Sequence, residues 1–169
     1  MKSNYIERAK KFVPVVYSIL NNAFDLEEVE ECVDDFNFYN KRKVIFTHGL
    51  TRMAFITSDY VIKFDYDPEA VDHWGGSENE MEVYAMAERE GMDYLFAKIT
   101  RFRYREYTFY IMPRIHGVER TDYDATEYMS ADEYDWCFEH GICDLHSGNY
   151  GWRNRHICLI DYGCLRDFT

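Results

Sequence analysis

The sequence predicts an α+β fold in which helices precede an antiparallel sheet. Up to about residue 40, apolar residues recur at helical spacing, whereas from Lys43 they alternate along short segments, as strands require. The 169 residues are 47% hydrophobic and 18% aromatic, which is enough to form a core. No internal repeat or Gly/Ser-rich linker divides the chain.

The charge balance limits the partners that we expect. The chain has 31 Asp and Glu against 19 Lys and Arg, a formal net charge of -12. Such a chain has no general attraction to nucleic acid phosphates or anionic lipids, so we expect no nucleic-acid partner and no membrane partner. The acidity favours solubility, and it also suits docking on a basic partner protein. Five cysteines without a CxxC pair, and the lack of a long apolar run, favour a cytoplasmic protein with reduced thiols.

Residues 1–42 are expected to form a helical extension. The apolar spacing predicts one helix over residues 5–12, a second that resumes after Pro14, and a third over residues 26–36. Asp25 is the expected N-cap of the third helix. We find no residues in this region that indicate chemistry.

The next region is expected to contribute five strands and one helix. KVIFT, MAFIT and YVIKFDY alternate as strands, with turns at HGLTR and SD between them. After a loop, DPEAVDHWGG, the segment SENEMEVYAMAEREG predicts a helix with Ser77 as N-cap and Gly91 at its end. LFAKITRFRYR and EYTFYIMPRI then predict two more strands.

The last third is expected to contain a helix, a polar loop and a hairpin. SADEYDWCFEHG predicts a short helix, with Ser130 and Glu133 at capping-box spacing and Gly141 as its stop. GICDLHSGN has the composition of a loop. NYGW and HICLI, joined by a turn at RNR, predict a hairpin that ends in DYG.

The strongest chemical signal is the ordered set Asp144, Asn149 and Asp161. Asp144 and Asn149 lie five residues apart in one loop, and Asp161 follows the next hairpin, so the three side chains can converge at one pocket mouth. Carboxylate and amide oxygens are suitable ligands for Mg2+, and phosphoryl transfer also needs a base that aligns the acceptor. The set therefore predicts a nucleotide and magnesium centre.

DLHSGN followed by DYG resembles the catalytic loop and metal-binding triplet of the protein-kinase-like superfamily. The DLHxGN form is more similar to aminoglycoside-phosphotransferase-type and atypical kinases than to the HRDLKxxN loop of ordinary eukaryotic protein kinases. The resemblance implies ATP and Mg2+ as cofactors, Asp144 as catalytic base, and Asn149 and Asp161 as metal ligands. It also implies that His146 stabilises transferred charge, although a structural hydrogen bond within the loop is an equal alternative.

The resemblance extends to the predicted sheet. YVIKF has Lys63 on the third strand, where the family has a Lys that bridges the α- and β-phosphates. The family partner of this Lys is a Glu on the following helix. Glu80 is the expected partner because helical spacing aligns it with apolar residues such as Val83. Glu78 and Glu82 are then expected to be solvated.

Further nucleotide contacts are implied in the same way. HGLTR occupies the position of the Gly-rich phosphate loop with Gly49 alone, and Arg52 or Thr51 is a candidate phosphate donor. The alternative is an ordinary hairpin turn. Met112 takes the gatekeeper position, the carbonyl of Pro113 would accept from the adenine amino group, and the amide of Ile115 would donate to the ring.

The resemblance implies a particular domain layout: an N-terminal helical extension (1–42), an N-lobe with a five-stranded antiparallel sheet and one αC-type helix (43–115), and a strongly truncated C-lobe (116–169). We therefore expect an ATP-dependent phosphotransferase, a small atypical protein kinase of the Ser/Thr type, similar to very small kinase-like chains of bacteriophages. The alternative is a weak or inactive kinase-like binding module whose acidic surface captures or inhibits a partner protein. A magnesium-dependent hydrolase, or an unrelated α+β domain, would require the ordered residue set to be coincidental.

Overall fold

The structure is a computed structural model that describes residues 4–116 and 123–166. It confirms a mixed α+β protein with a five-stranded antiparallel sheet. The chain divides into two compact units. Unit 1 holds the described residues up to Tyr66 together with Thr100–Arg114, and unit 2 holds Asp67–Ile99 and the described residues from Ile115 onward.

Unit 1 contains the five-stranded sheet, with strand order β1-β2-β3-β5-β4 and every neighbouring pair antiparallel. The strands are β1 (Ile45–His48), β2 (Arg52–Ile56), β3 (Tyr60–Asp65), β4 (Thr100–Tyr104) and β5 (Tyr107–Pro113). β4 begins later than its apolar sequence predicted, because Phe96 and Ala97 pair instead with Leu159 in unit 2.

Two helices, α1 (Tyr5–Asn22) and α2 (Leu26–Asn40), pack in unit 1 with the sheet. The predicted helix break at Pro14 is wrong, since α1 is continuous through it. Pro14 lies on the exposed face, where water can bond the backbone carbonyl that loses its helical donor. Asp25 caps α2 as predicted, and its Oδ1 accepts from the N–H of Glu28 at 2.9 Å.

β1 is an edge strand of the sheet, and its entrance is held by a side chain of α2. Asn37 Nδ2 donates to the carbonyl oxygen of Val44 at 2.8 Å, and Asn37 Oδ1 accepts from the N–H of the same residue at 2.8 Å. Both backbone groups of Val44 are thus bonded just before the strand begins.

Unit 2 contains three helices and a two-stranded hairpin: α3 (Pro68–Trp74), α4 (Ser77–Glu90), α5 (Ala131–Glu139), β6 (Tyr150–Arg153) and β7 (His156–Leu159). α3 lies in a segment predicted to be a loop. It begins with Asp67, which accepts from the N–H of Ala70 at 3.0 Å, and with Pro68 at the first helical position. Both residues favour a helix start.

The predicted cap of α4 is also corrected. The N-cap is Gly76, which has an extended backbone, whereas Ser77 is already the first helical residue. The C-terminal prediction is confirmed, since Gly91 follows the helix in the left-handed conformation with φ 76°. The capping box of α5 is confirmed as well: Glu133 Oε2 accepts from Ser130 N–H at 2.7 Å, and Ser130 Oγ accepts from Glu133 N–H.

The hairpin was predicted correctly. Asn154 and Arg155 both adopt left-handed backbone angles between its strands, as a tight two-residue turn requires. Arg153 fixes the hairpin to residues 93–96 by donating through Nη2 to three backbone carbonyls. Over the described ranges, no helix has both the length and the apolar character needed to cross a bilayer.

Candidate functional site

The open end of the β6–β7 hairpin brings together two of the predicted site residues. Asn149 immediately precedes β6, and Asp161 follows β7 by two residues. The ladder continues past the strands, because the N–H of Ile160 donates to the carbonyl of Asn149 at 2.9 Å. An amide and a carboxylate therefore occupy neighbouring positions at one end of a rigid element of unit 2.

The loop before this hairpin is organised around the Asn149 amide. Asn149 is 8% exposed, and its Nδ2 donates to the carbonyl of Asp144 at 3.1 Å. The same nitrogen lies 3.3 Å from His146 Nε2. Because Nδ2 is the atom that contacts these two groups, Oδ1 is the atom that the amide can offer to a cation.

His146 connects the two ends of the loop. Its Nδ1 lies 2.6 Å from the carbonyl oxygen of Ser147, which can only accept, so Nδ1 carries a hydrogen. Its Nε2 lies 3.2 Å from Asp144 Oδ1 as well as near Asn149. The neutral ring can accept from the amide and the protonated ring can donate to the carboxylate, so the loop provides a partner for either state.

Asp144 lines a cavity in unit 2. The side chain is 37% exposed, and it borders a cavity of about 260 Å³. Two aromatic side chains of α5, Tyr134 and Phe138, also line this cavity. The space is open to solvent and directly adjoins the predicted base, so a small hydroxyl-bearing group can reach it.

The residues after Asp161 are held by buried contacts within unit 2. Tyr162 is 0% exposed, its hydroxyl donates to the carbonyl of Ala97 at 2.6 Å, and its ring packs on Phe96 at 4.9 Å. Burial raises the pKa of the Tyr162 hydroxyl well above its ordinary value, and the negative charge of Glu80 raises it further. The hydroxyl is therefore a hydrogen-bond donor at neutral pH.

Gly163 makes an unusually close backbone approach to the start of α4. A Cβ on Gly163 would lie 2.4 Å from the carbonyl oxygen of Gly76, and a Cβ on Gly75 would lie 1.9 Å from the carbonyl oxygen of Gly163. Asn79 Nδ2 donates to that same Gly163 oxygen at 3.1 Å. Gly163 is the third residue of the DYG triplet, whereas its contact with the start of α4 was not predicted; the Gly75–Gly76 pair before the helix is the sequence signal for such a close approach.

Two thiols flank the predicted catalytic residues. Cys143 precedes Asp144, Cys164 follows Gly163, and their Sγ atoms are 3.7 Å apart. Burial raises the pKa of the Cys164 thiol to about 11, with further contributions from Cys143 and from the carboxylates of Asp144 and Asp161. The contact between the two Sγ atoms therefore joins the residue before Asp144 to the segment that follows Asp161.

The predicted helix register of Glu80 is confirmed. Glu80 and Val83 are 0% exposed, whereas Glu78 and Glu82 are exposed. In unit 1, Lys63 is 6% exposed and lies on β3, opposite Ala54 of β2. The pairing of Lys63 with Glu80 stays a prediction.

The other predicted nucleotide residues lie at the ends of strands. Gly49 is in the β1–β2 turn, where its N–H donates to the carbonyl of Arg52 at 2.9 Å, so the segment forms a hairpin turn as expected. Met112 is 2% exposed on β5, Pro113 ends that strand, and Ile115 follows it. Their contacts with a nucleotide stay predictions.

The Asn149 amide and the Asp161 carboxylate are oxygen donors of the kind that Mg2+ takes from proteins. Within residues 4–116 and 123–166, no group of three or more His, Cys, Asp or Glu side chains is arranged to hold a metal ion. Magnesium commonly takes one or two protein oxygens and completes its shell with phosphate oxygens and water. Magnesium binding by Asn149 Oδ1 and the Asp161 carboxylate stays a prediction.

No protein-family model matches the chain, and no curated protein matches its sequence. The functional assignment therefore depends on the residues themselves.

Proposed function

We propose that this chain is an ATP- and magnesium-dependent phosphotransferase, a small atypical protein kinase of the Ser/Thr type with Asp144 as catalytic base. The observation that carries the proposal is the junction of the 144–149 loop with the end of the β6–β7 hairpin. There, the accessible Asp144 carboxylate and the buried Asn149 amide belong to one hydrogen-bonded loop, and the backbone bond from Ile160 to Asn149 holds this loop beside the segment that carries Asp161. This is the residue set that phosphoryl transfer needs.

The chemistry assigned to the chain is positioning and proton transfer. Asp144 aligns an acceptor hydroxyl in the adjoining cavity and accepts its proton. Asn149 keeps the loop closed through Nδ2 and offers Oδ1 as one oxygen ligand, and Asp161 offers the second. Mg2+, when bound there, would neutralise charge on the phosphate oxygens.

His146 lies beside the base. Its Nε2 is 3.2 Å from Asp144 Oδ1 and 3.3 Å from Asn149 Nδ2, so the ring connects the base with the amide within the loop. The remaining assignments to the nucleotide depend on the family resemblance alone: Lys63, Glu80, Gly49, Arg52, Met112, Pro113 and Ile115.

The test combines label transfer with ligand-induced stabilisation. Purified protein with radiolabelled ATP and Mg2+ is expected to label itself or a lysate protein, and Asp144→Asn should lower the rate by about 10²- to 10⁴-fold. Mg-ATP at about 100 times its Kd should stabilise the wild type by about 2.7 kcal/mol. Asp161→Asn should lose the magnesium-dependent part of this stabilisation.

Asp135→Asn is the matched control, because Asp135 is an exposed acid of α5 in the same unit. It should transfer label and respond to Mg-ATP as the wild type does. Stabilisation without transfer in the wild type would favour the binding-module alternative. If the wild type shows no stabilisation by Mg-ATP and no label transfer, the proposal is contradicted.

A further inference from the structure

Unit 1 contains a large cavity that phosphotransfer does not use. It has a volume of about 810 Å³ and lies among α1, the end of α2, the segment leading into β1 and the β2–β3 turn. Its floor is apolar: Phe12 packs on Phe36 with ring centroids 5.4 Å apart and on Tyr60 at 6.5 Å, and Val15 and Val44 border them.

The walls of this cavity are positively charged, in a chain with a net charge of -12. Arg8 and Lys11 belong to α1, Arg42 and Lys43 lie between α2 and β1, and all four are exposed. Asp59 is the acidic residue of the lining, and it forms an ion pair with Arg8. We call this cavity, with its four cationic residues and apolar floor, the basic groove.

Cationic side chains of the basic groove act electrostatically on Tyr60, a residue of its floor. Burial raises the pKa of the Tyr60 hydroxyl and Asp59 adds to the effect, while Arg42 and Arg8 oppose it. Two cationic side chains from different segments therefore act on one buried ring. A helix C-terminus attracts cations, which accounts for Arg42 near the end of α2. It does not account for a cavity between two cationic walls where the apolar side chains of Val15 and Phe36 remain partly exposed.

We propose that the basic groove binds an acidic peptide segment of a partner protein, with an aromatic or aliphatic side chain on the floor and Asp or Glu carboxylates at the cationic walls. The volume is in the range of sites that hold ligands larger than one side chain. Charge complementarity gives the preference for acidic residues, and the floor gives the preference for an apolar anchor.

Other anionic ligands fit these features less well. A nucleic acid backbone would leave the apolar floor uncovered and would be repelled by the rest of an acidic chain. An alkyl chain would remain partly wet, because Asn40, Lys43 and Ser58 in the lining are exposed. An acidic peptide can pair its carboxylates with the cationic walls and place an apolar side chain on the floor, and polar lining residues can form hydrogen bonds with its backbone. This interaction is independent of the proposed phosphotransfer.

The experiment is selection of a random 12-residue peptide library, displayed on phage, against immobilised full-length chain. The selected pool should be enriched in Asp and Glu and in aromatic or aliphatic residues, relative to the unselected library. The variant Arg42→Glu/Lys43→Glu should lose this enrichment, and the selected peptides, labelled with fluorescein, should bind it at least tenfold more weakly by polarisation.

The matched control is Arg101→Glu/Arg103→Glu, which makes the same charge change on exposed residues of β4, outside the basic groove. It should select and bind acidic peptides as the wild type does. A selected pool without acidic enrichment, or equal binding to both double variants, would overturn the proposal.

Vesicles of phosphatidylcholine with 30% phosphatidylserine should not sediment the chain. Sedimentation that is lost only in Arg42→Glu/Lys43→Glu would overturn the proposal and assign the groove to a membrane surface instead.

Discussion

Replacing Gly163 by alanine should disturb the segment that holds Asp161. Gly163 has ordinary backbone angles, so alanine introduces no torsional strain there, and the effect comes from its Cβ alone. That atom would lie 2.4 Å from the carbonyl oxygen of Gly76 and 3.1 Å from Glu80 Cγ. The first contact is with the backbone at the start of α4, which a side-chain rotation cannot relieve.

The magnitude follows from the distance that must be recovered. Ordinary contact begins near 3.4 Å, so the two backbone segments must separate by about 1 Å. Overpacking of this kind typically costs about 1–3 kcal/mol. At about 2–4 °C per kcal/mol for a chain of this size, the Tm should fall by about 2–12 °C. A displacement of about 1 Å near reacting groups can lower a rate by about 10²-fold, so the rate of the proposed phosphotransfer should fall together with the stability.

Calorimetry and the label-transfer assay test this expectation together. Gly49→Ala is the control for stability, because a Cβ on Gly49 meets no atom within 4 Å, and its Tm should stay at the wild-type value. If Gly163→Ala has the Tm of the wild type and transfers label at the wild-type rate, the close approach of Gly163 to Gly76 is not needed to position Asp161.

Two further predictions concern buried groups of unit 2. Burial raises the pKa of the Cys137 thiol from 9.0 to about 12, so its stabilising effect is fully present below about pH 9 and is lost as the pH rises towards 12, because the unfolded chain ionises first. Between pH 8 and pH 10 ionisation of this thiol in the unfolded chain should lower the free energy of unfolding by about 1.4 kcal/mol. Urea unfolding of Cys137→Ala should therefore show a decrease over this pH range that is smaller than the wild-type decrease by that amount. The same pH dependence in both proteins would contradict the raised pKa of Cys137. Tyr162→Phe removes the 2.6 Å hydrogen bond to Ala97 and should lower the free energy of unfolding by about 1–3 kcal/mol, whereas Tyr128→Phe, at a residue 40% exposed, should change it by less than about 0.5 kcal/mol. Equal stability of the two variants would show that the buried hydroxyl contributes nothing.

Local patterns predicted most elements of the fold, because their causes are local. The Asp25 cap, the Ser130 and Glu133 capping box and the hairpin turn each depend on residues within a few positions of one another. The burial of Glu80 followed from its apolar stripe. Pro14 was misjudged because whether a helix tolerates proline depends on which face is exposed, and that is decided by packing.

Features that join distant segments could not be predicted in this way. The approach of Gly163 to Gly76 spans most of unit 2 along the chain, and no local pattern specifies it. The basic groove combines residues of α1 with residues that follow α2, and only the fold brings those charges around one apolar surface. For the 144–149 loop, the sequence indicated the residue types, and the structure added the hydrogen bonds that orient the Asn149 amide.

The bonds of Asn37 to Val44 bear on how these molecules behave at high concentration. An exposed edge strand can recruit a strand of another molecule, which is a common route to aggregation. The Asn37 amide offers Val44 the same donor and acceptor that a neighbouring peptide group would offer, and it already occupies both. An incoming strand that began pairing at this entrance to β1 would first have to break two 2.8 Å hydrogen bonds, so one side-chain amide hinders edge-to-edge polymerisation where it would start.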